Sequence, residues 1–255
     1  MFDKLFSLKR RTALITGSSQ GLGYIMARGL GLAGAKIILN GRNKDKLNKA
    51  VHQMKKDGID VDGYDFNITQ TQEIDEKISL IEKKIGFIDI LVNNAGIQKR
   101  ALLVEMEESS WRDVIEINLN GAFFVTKRVA KGMILNRSGK IINICSLLSE
   151  VGRETIAPYA AAKGGLKMLT KNMAVEWAKY NIQINGIGPG YFITEMNRPL
   201  AENKQFDKWL KNRTPANRWG KPEELIGTVV FLASAASNFV NGQIIYVDGG
   251  ILASI

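Results

Sequence analysis

With 255 residues, 45% of them hydrophobic, the chain can build one sizeable core, and its length allows one α/β domain or two small ones. A single cysteine, Cys145, excludes an internal disulfide and suits a reducing cytoplasm; a single histidine, His52, excludes multi-histidine metal sites and leaves a Ser-His-Asp hydrolase little to work with. The formal charge of +10 sits largely in stretches such as 42–49 and 55–56, where apolar residues recur between lysines as on a solvated helix face, and no nucleic-acid-binding signature accompanies it.

The first eleven residues contain no continuous apolar segment and no small-residue cleavage site, so no secretory leader is expected. No later apolar run approaches membrane-spanning length. No linker divides the chain, and a single domain over 1–255 is expected. Residues 12–16 form a short β-leaning run that stops at Gly17, followed by Gly17-Ser18-Ser19-Gln20-Gly21-Leu22-Gly23 and a helically spaced segment, 24–30. Strand, glycine turn and helix form a geometry in which a pyrophosphate can approach unpaired N–H groups at the helix start. A second strand, 36–39, ends in Asn40-Gly41-Arg42. Nucleotide-binding βαβ units usually present an acid there to the ribose hydroxyls; a guanidinium in its place favours a 2′-phosphate, hence NADP(H) over NAD, unless Arg42 is simply a loop arginine facing water.

The alternation continues with strand 59–64, a helix through Ile74, Ile78 and Ile81, and strand 88–92 ending in Asn93-Asn94-Ala95-Gly96. A parallel sheet covered on both faces follows, with a ligand crevice at its carboxyl edge. A long helix over about 109–136 carries Asn118 among apolar neighbours, either as a satisfied interior amide or as a holder of a water or side chain in the site. Strand 140–145 delivers Ser146 to the sheet edge, while Cys145 points into packing by strand alternation. In the next helix, about 157–180, Tyr159 and Lys163 are four apart on one face, so the ammonium is expected to acidify the phenol. Strand 182–187 leads to Gly188-Pro189-Gly190, residues 191–212 are long enough to close over a substrate, and a last strand, 243–247, precedes Asp248-Gly249-Gly250.

Taken together, Thr16 to Gly23, Asn93-Asn94-Ala95-Gly96, Asn118, Ser146, Tyr159 with Lys163, Pro189-Gly190 and Val247-Asp248-Gly249-Gly250 resemble the short-chain dehydrogenase/reductase family over essentially the whole chain. The resemblance implies a single-domain, Rossmann-like, doubly wound parallel sheet of about seven strands. It implies Tyr159 as general acid/base, Ser146 as hydrogen-bond donor to the reacting oxygen, Lys163 on the nicotinamide ribose and Asn118 positioning that lysine through a water. The implied cofactor contacts are Gly17, Ser19, Gln20, Gly21, Leu22, Gly23, Asn40, Arg42, Asn67, Ile68, Asn94, Ala95, Gly96, Tyr159, Lys163, Pro189, Gly190 and Thr194. Asn67 stands where the family commonly has an aspartate. Residues 142–155, 185–192 and 213–220 are similar to bacterial gluconate 5-dehydrogenases, which implies interconversion of D-gluconate and 5-dehydro-D-gluconate with NADP(H) in a homotetramer, without metal, nucleic acid or membrane. Ser146, Tyr159, Arg153 and Arg100 are the candidate substrate contacts, with Lys99 a weaker third cation for the carboxylate. A reductase of another sugar acid or of a 3-oxoacyl thioester is the alternative, and a non-catalytic NADP- or nucleic-acid-binding protein of the same fold the remote one.

Overall fold

Short runs of isoleucine, leucine and valine, buried on both faces, pair into one parallel sheet. The structure is a computed structural model that describes residues 2–195 and 197–254. In chain order its elements are α1 (Phe2–Phe6), β1 (Thr12–Ile15), α2 (Gly21–Leu32), β2 (Lys36–Asn40), α3 (Lys44–Lys56), β3 (Val61–Tyr64), α4 (Thr71–Lys84), β4 (Ile90–Asn93), α5 (Glu108–Ile115), α6 (Gly121–Asn136), β5 (Gly139–Ile144), α7 (Ala157–Trp177), β6 (Ile182–Pro189), α8 (Arg198–Glu202), α9 (Lys204–Arg213), α10 (Ile226–Ala233) and β7 (Ile244–Val247). The strand order is β3-β2-β1-β4-β5-β6-β7, every pairing parallel. Strand order reverses between β1 and β4, and a crevice opens outside the carboxyl ends at such a switch point.

Strand alternation divides the core between two faces. Ala13 and Ile15 of β1 point toward Met26 and Leu30 of α2, Met54 of α3 and Val229 of α10. Leu14, between them, joins Ile78 of α4, Val129 of α6 and Met173 of α7 on the other face. Helices therefore cover both sides, which explains why the strands read as continuous apolar runs.

Several expected boundaries shift, among them the start of the fourth strand, at Ile90 rather than residue 88. The third strand starts at Val61 rather than residue 59, because the Ile59 N–H is taken by the Met54 carbonyl at the exit of α3. The long helix over 109–136 is interrupted by a π-helical turn, Glu116–Asn120, between α5 and α6. The helix begun at residue 157 ends at Trp177, and one 3₁₀ turn follows before Asn181 adopts a left-handed conformation at φ 59°. The segment 191–212 contains two short helices, α8 and α9, that its polar and aromatic composition did not announce.

Beneath the crevice the sheet is fastened by buried amides. The Asn93 amide donates to Thr126 Oγ1 at 2.7 Å and to Asn143 Oδ1 at 2.8 Å, and Asn143 Nδ2 donates to Thr170 Oγ1 at 2.8 Å. This chain links β4, β5, α6 and α7, the elements that carry Asn94, Ser146 and Tyr159. Asn143→Leu leaves a buried donor on Asn93 and a lost partner on Thr170, an expected cost of about 2–4 kcal/mol. For a chain of this size that lowers the melting temperature by roughly 5–10 °C; thermal denaturation followed by circular dichroism checks it, and an unchanged midpoint contradicts the structural role.

Candidate active site

The β1–α2 turn needs backbone that only glycine adopts freely. Gly17 and Gly21 have φ of 60° and 63°. A Cβ on Gly23 would lie 2.3 Å from Asn94 Nδ2 and 2.6 Å from the Gly17 carbonyl, whereas one on Gly21 would meet nothing within 4 Å and stand in the open cradle. Asn94 fixes this turn to β4: its Nδ2 donates to the carbonyls of Gly17 at 2.9 Å and Thr16 at 3.0 Å, while Thr16 Oγ1 accepts from the Asn94 and Ala95 N–H groups. Helix α2 has no side-chain cap and no acid in its first turn, so its leading N–H groups face the cavity free to meet an anion.

One cavity of about 720 Å³ runs from this turn to the end of β5. Its lining includes Gly17, Ser19, Gln20, Gly21, Leu22, Gly23, Asn40, Arg42, Asn67, Ile68, Asn94, Ala95, Gly96, Ser146, Tyr159, Lys163, Pro189, Gly190, Thr194, Arg100 and Arg153. Every site residue selected from sequence is thus brought to one space except Asn118 and Lys99. At the adenosine end Arg42 makes no ion pair among the described residues, and Lys46, one turn into α3, donates to Gln20 Oε1 at 2.9 Å. Asn40 is wall more than contact: its amide accepts from Gly17 N–H at 3.2 Å and donates to the Phe66 carbonyl at 3.0 Å. Asn67 Oδ1 is occupied by the N–H and hydroxyl of Thr69.

At the other end Ser146 caps the turn that follows β5, its Oγ accepting from Leu148 N–H at 3.1 Å. Tyr159 sits in the first turn of α7, where Pro158 is accommodated because that N–H has no helical partner. Lys163, 3% exposed, donates from Nζ to the Ile144 carbonyl. Burial pushes its pKa down to about 8.

The expected acidifying pair is not what the geometry provides. Burial raises the pKa of the Tyr159 phenol, and the neighbouring Ser146 and Gln98 side chains oppose this. The Lys163 ammonium is turned to Ile144, 5.5 Å from the centroid of the Tyr159 ring. Asn118 takes the first of its two expected roles, a satisfied interior amide. Buried in the π turn, its Oδ1 accepts from Ile97 N–H at 2.8 Å and its Nδ2 donates to the Ile97 carbonyl at 2.9 Å. Both ends of the amide are engaged, so its side chain anchors the loop after β4. Lys99 lies outside the cavity lining, paired with Asp113 at 2.6 Å. Cys145 is buried, its thiol pushed up to about 11, as strand alternation anticipated for a packed side chain.

Arg153 donates to Tyr191 Oη at 2.9 Å, and its guanidinium lies 4.7 Å from the Phe206 ring centroid. Neither it nor Arg100 has a carboxylate partner among the described residues, and burial together with Arg153 lowers the pKa of Arg100. Sequence reading missed Lys46, Gln98 and Tyr191. Lys46 was hidden among surface lysines; Gln98 had only its position two residues after Gly96 to mark it.

Residues 17–252 match a family model described as enoyl-(acyl carrier protein) reductase. The chain belongs to the short-chain dehydrogenase/reductase family. This short-chain dehydrogenase/reductase is 53% identical to a 2-dehydro-3-deoxy-D-gluconate 5-dehydrogenase of Formosa agariphila, covering 98% of this chain and 96% of the relative. It is 52% identical to a 5-keto-D-gluconate 5-reductase of Escherichia coli, covering 99% and 100%. A crystal structure of a gluconate 5-dehydrogenase from Burkholderia cenocepacia, in complex with NADP and tartrate, superposes with a TM-score of 0.98 at 49% identity over 100% of both chains.

Because burial lowers the folded-state pKa of Lys163, the unfolded chain binds more protons between about pH 8 and 10.5, and stability rises with pH through that window. Lys163→Met removes this dependence. From pH 7 to pH 10.5 the wild type should gain about 3 kcal/mol of unfolding free energy relative to the variant. Urea titrations at the two pH values measure the difference, and a pH-independent difference contradicts the buried ammonium.

Proposed function

We propose that this short-chain dehydrogenase/reductase interconverts D-gluconate and 5-dehydro-D-gluconate with NADP(H), in the cytoplasm and as a homotetramer. The observation that carries the reading is one cavity joining a glycine cradle, which has a cation where an acid would face a ribose, to Ser146, Tyr159 and two guanidinium groups without acidic partners. The fit to the cofactor rests on the cradle itself: open space at Gly21, free N–H groups at α2, and Arg42 with Lys46 at the place of a 2′-phosphate. The names of the relatives, all acting on six-carbon sugar acids, support the substrate class.

When bound, NADPH supplies the hydride. The chain's own groups do the rest. Tyr159 gives its proton to the C5 oxygen and takes it back in the oxidative direction, Ser146 donates a hydrogen bond to that oxygen as charge develops, and Lys163 holds the ribose. Arg153, with Arg100, binds the carboxylate at the far end of the substrate. Residues 191–212 close over it as a lid, a role supported by Phe206 of α9 lying against Arg153. Association through α6, α7 and β7 is supported by exposed Phe123, Leu135, Met168 and Val175 on the two helices. A cytoplasmic setting is supported by the lone buried thiol, and no described helix is long and apolar enough to cross a membrane.

A second reading keeps the chemistry at C5 and changes the acid to 2-dehydro-3-deoxy-D-gluconate, as in the name of the Formosa agariphila relative. Steady-state kinetics on both acids decides between them: the larger kcat/KM should belong to D-gluconate. Tyr159→Phe should lower kcat by roughly 10²- to 10⁴-fold with little change in NADPH affinity; a variant that keeps most of its rate removes the assignment. Arg42→Ala should raise the KM for NADPH about tenfold or more and leave that for NADH nearly unchanged. Arg153→Met should raise the KM for the sugar acid by a similar factor while the NADPH affinity stays put, and an unaltered KM would show that the carboxylate binds elsewhere.

A further inference from the structure

Tyr191 follows Pro189-Gly190 at the end of β6, where the sheet edge gives way to the segment of α8 and α9. Its ring is fixed on three sides: Phe206, Trp209 and Trp219 meet it edge to face, with ring centroids 5.7, 6.3 and 5.9 Å away. Its carbonyl accepts from the Gly220 N–H at 2.9 Å, so the backbone is held as well. Tyr191 and Tyr159 pack against the same apolar cluster, around Leu148, Ile156 and Trp219, and both line the cavity. A phenol clamped in this way presents its hydroxyl at one place.

That place is beside Arg153. The guanidinium donates to Tyr191 Oη at 2.9 Å, which uses the oxygen as an acceptor. A phenol also has one proton to donate, and no group among the described residues accepts it. Receiving a hydrogen bond from a cation polarises the hydroxyl and makes it a stronger donor. Since Arg153 has no carboxylate partner among the described residues, the anion that completes the arrangement must come from a ligand. We propose that Tyr191 determines specificity, its hydroxyl donating to the substrate carboxylate beside Arg153 so that the two side chains form one clamp on the acid end. This deepens the reading of the cavity as a sugar-acid site and rests on it. A carboxylate can accept from the hydroxyl and the guanidinium together, each bond assisted by its charge; an uncharged CH₂OH end gains no such assistance. Removing the hydroxyl therefore costs the acid more than the neutral polyol.

The test is steady-state oxidation with NADP⁺ of D-gluconate and of D-glucitol, its counterpart with CH₂OH in place of the carboxylate. In Tyr191→Phe the KM for gluconate should rise about tenfold, while kcat, the KM for NADP⁺ and the kcat/KM for glucitol stay within about twofold of wild type. The preference for the acid then falls about tenfold. Tyr191→Met deletes the same donor with a side chain that fills irregular space, and should lose the same preference; it decides the matter if the phenylalanine variant does not fold. An equal loss for both substrates makes the ring or its hydroxyl a general wall of the site and overturns the proposal, as does an unmoved KM. The Arg153→Met background separates a donor to the carboxylate from a mere support for Arg153. There Tyr191→Phe should still lower kcat/KM for gluconate about threefold or more; no further loss means that the hydroxyl only steers the guanidinium, and the clamp is refuted. If the wild type turns over neither gluconate nor its 5-keto acid, the sugar-acid reading fails and the clamp with it; if it does and the preference is unmoved, only the role of Tyr191 falls.

Discussion

An ammonium held almost entirely out of water at the end of β5 is the constraint around which the catalytic end of the cavity is arranged. Among the described residues Lys163 has a single acceptor, the Ile144 carbonyl, and burial lowers its pKa to about 8, so at neutral pH it remains mostly charged. A buried charge with one neutral partner is costly. It persists because the surrounding structure over-determines its position: Ser149 Oγ donates to the Lys163 carbonyl at 3.0 Å, and the Ser146 N–H donates to Ser149 Oγ at 3.3 Å. The turn that presents Ser146 and the helix turn that presents Lys163 are thereby one unit. Displacing either one displaces the phenol between them.

The switch point supplies the second half of the arrangement. β1 and β4 are neighbours in the sheet and not in sequence, and beyond their backbone ladder Asn94 joins their carboxyl ends through the Thr16 and Gly17 carbonyls. The same amide occupies the space a side chain on Gly23 would need. The glycine turn is therefore shaped by the neighbouring strand as much as by its own residues. The interior network from Asn93 through Asn143 to Thr170 carries the connection on to α7, so the cradle and the phenol are referred to one rigid sheet.

What could be read from the sequence was whatever depends on local pattern. Strand runs such as 36–39 and 140–145, the glycine turn and the helix bearing Tyr159 and Lys163 each carry their signal within about ten residues, and all are present with ends displaced by no more than a few residues. Side-chain direction was not legible. Helical spacing placed Tyr159 and Lys163 on one face, but whether Nζ met the phenol or a carbonyl depended on β5, distant in sequence. Asn118 was recognised as a polar residue out of place, yet its partner Ile97 lies across a loop, and the π turn that accommodates it leaves no periodicity to detect. Lys46 looked like its lysine neighbours until the fold brought α3 beside Gln20. Residues whose role is set by a contact between distant segments were the ones missed.

Charge along the cavity follows from these placements. Of its ionisable lining residues, Arg42, Lys46, Arg100, Arg153 and Lys163 are cationic, and Glu195 is the one carboxylate among the described residues. Four of the cations divide into two groups, Arg42 with Lys46 beyond the glycine turn and Arg100 with Arg153 beyond Tyr159, and the fifth, Lys163, stands at the reacting centre between them. Such a field concentrates anions at both mouths while leaving the reacting centre free of a fixed negative charge that would oppose phenolate formation. The net charge of +10, which composition alone assigned to solvated helices, thus has a local counterpart in the crevice. Arg153 shows how that counterpart is kept in place without an acid. Its guanidinium is held by the Tyr191 hydroxyl and the face of Phe206, neutral partners that orient it and leave its charge available to a ligand.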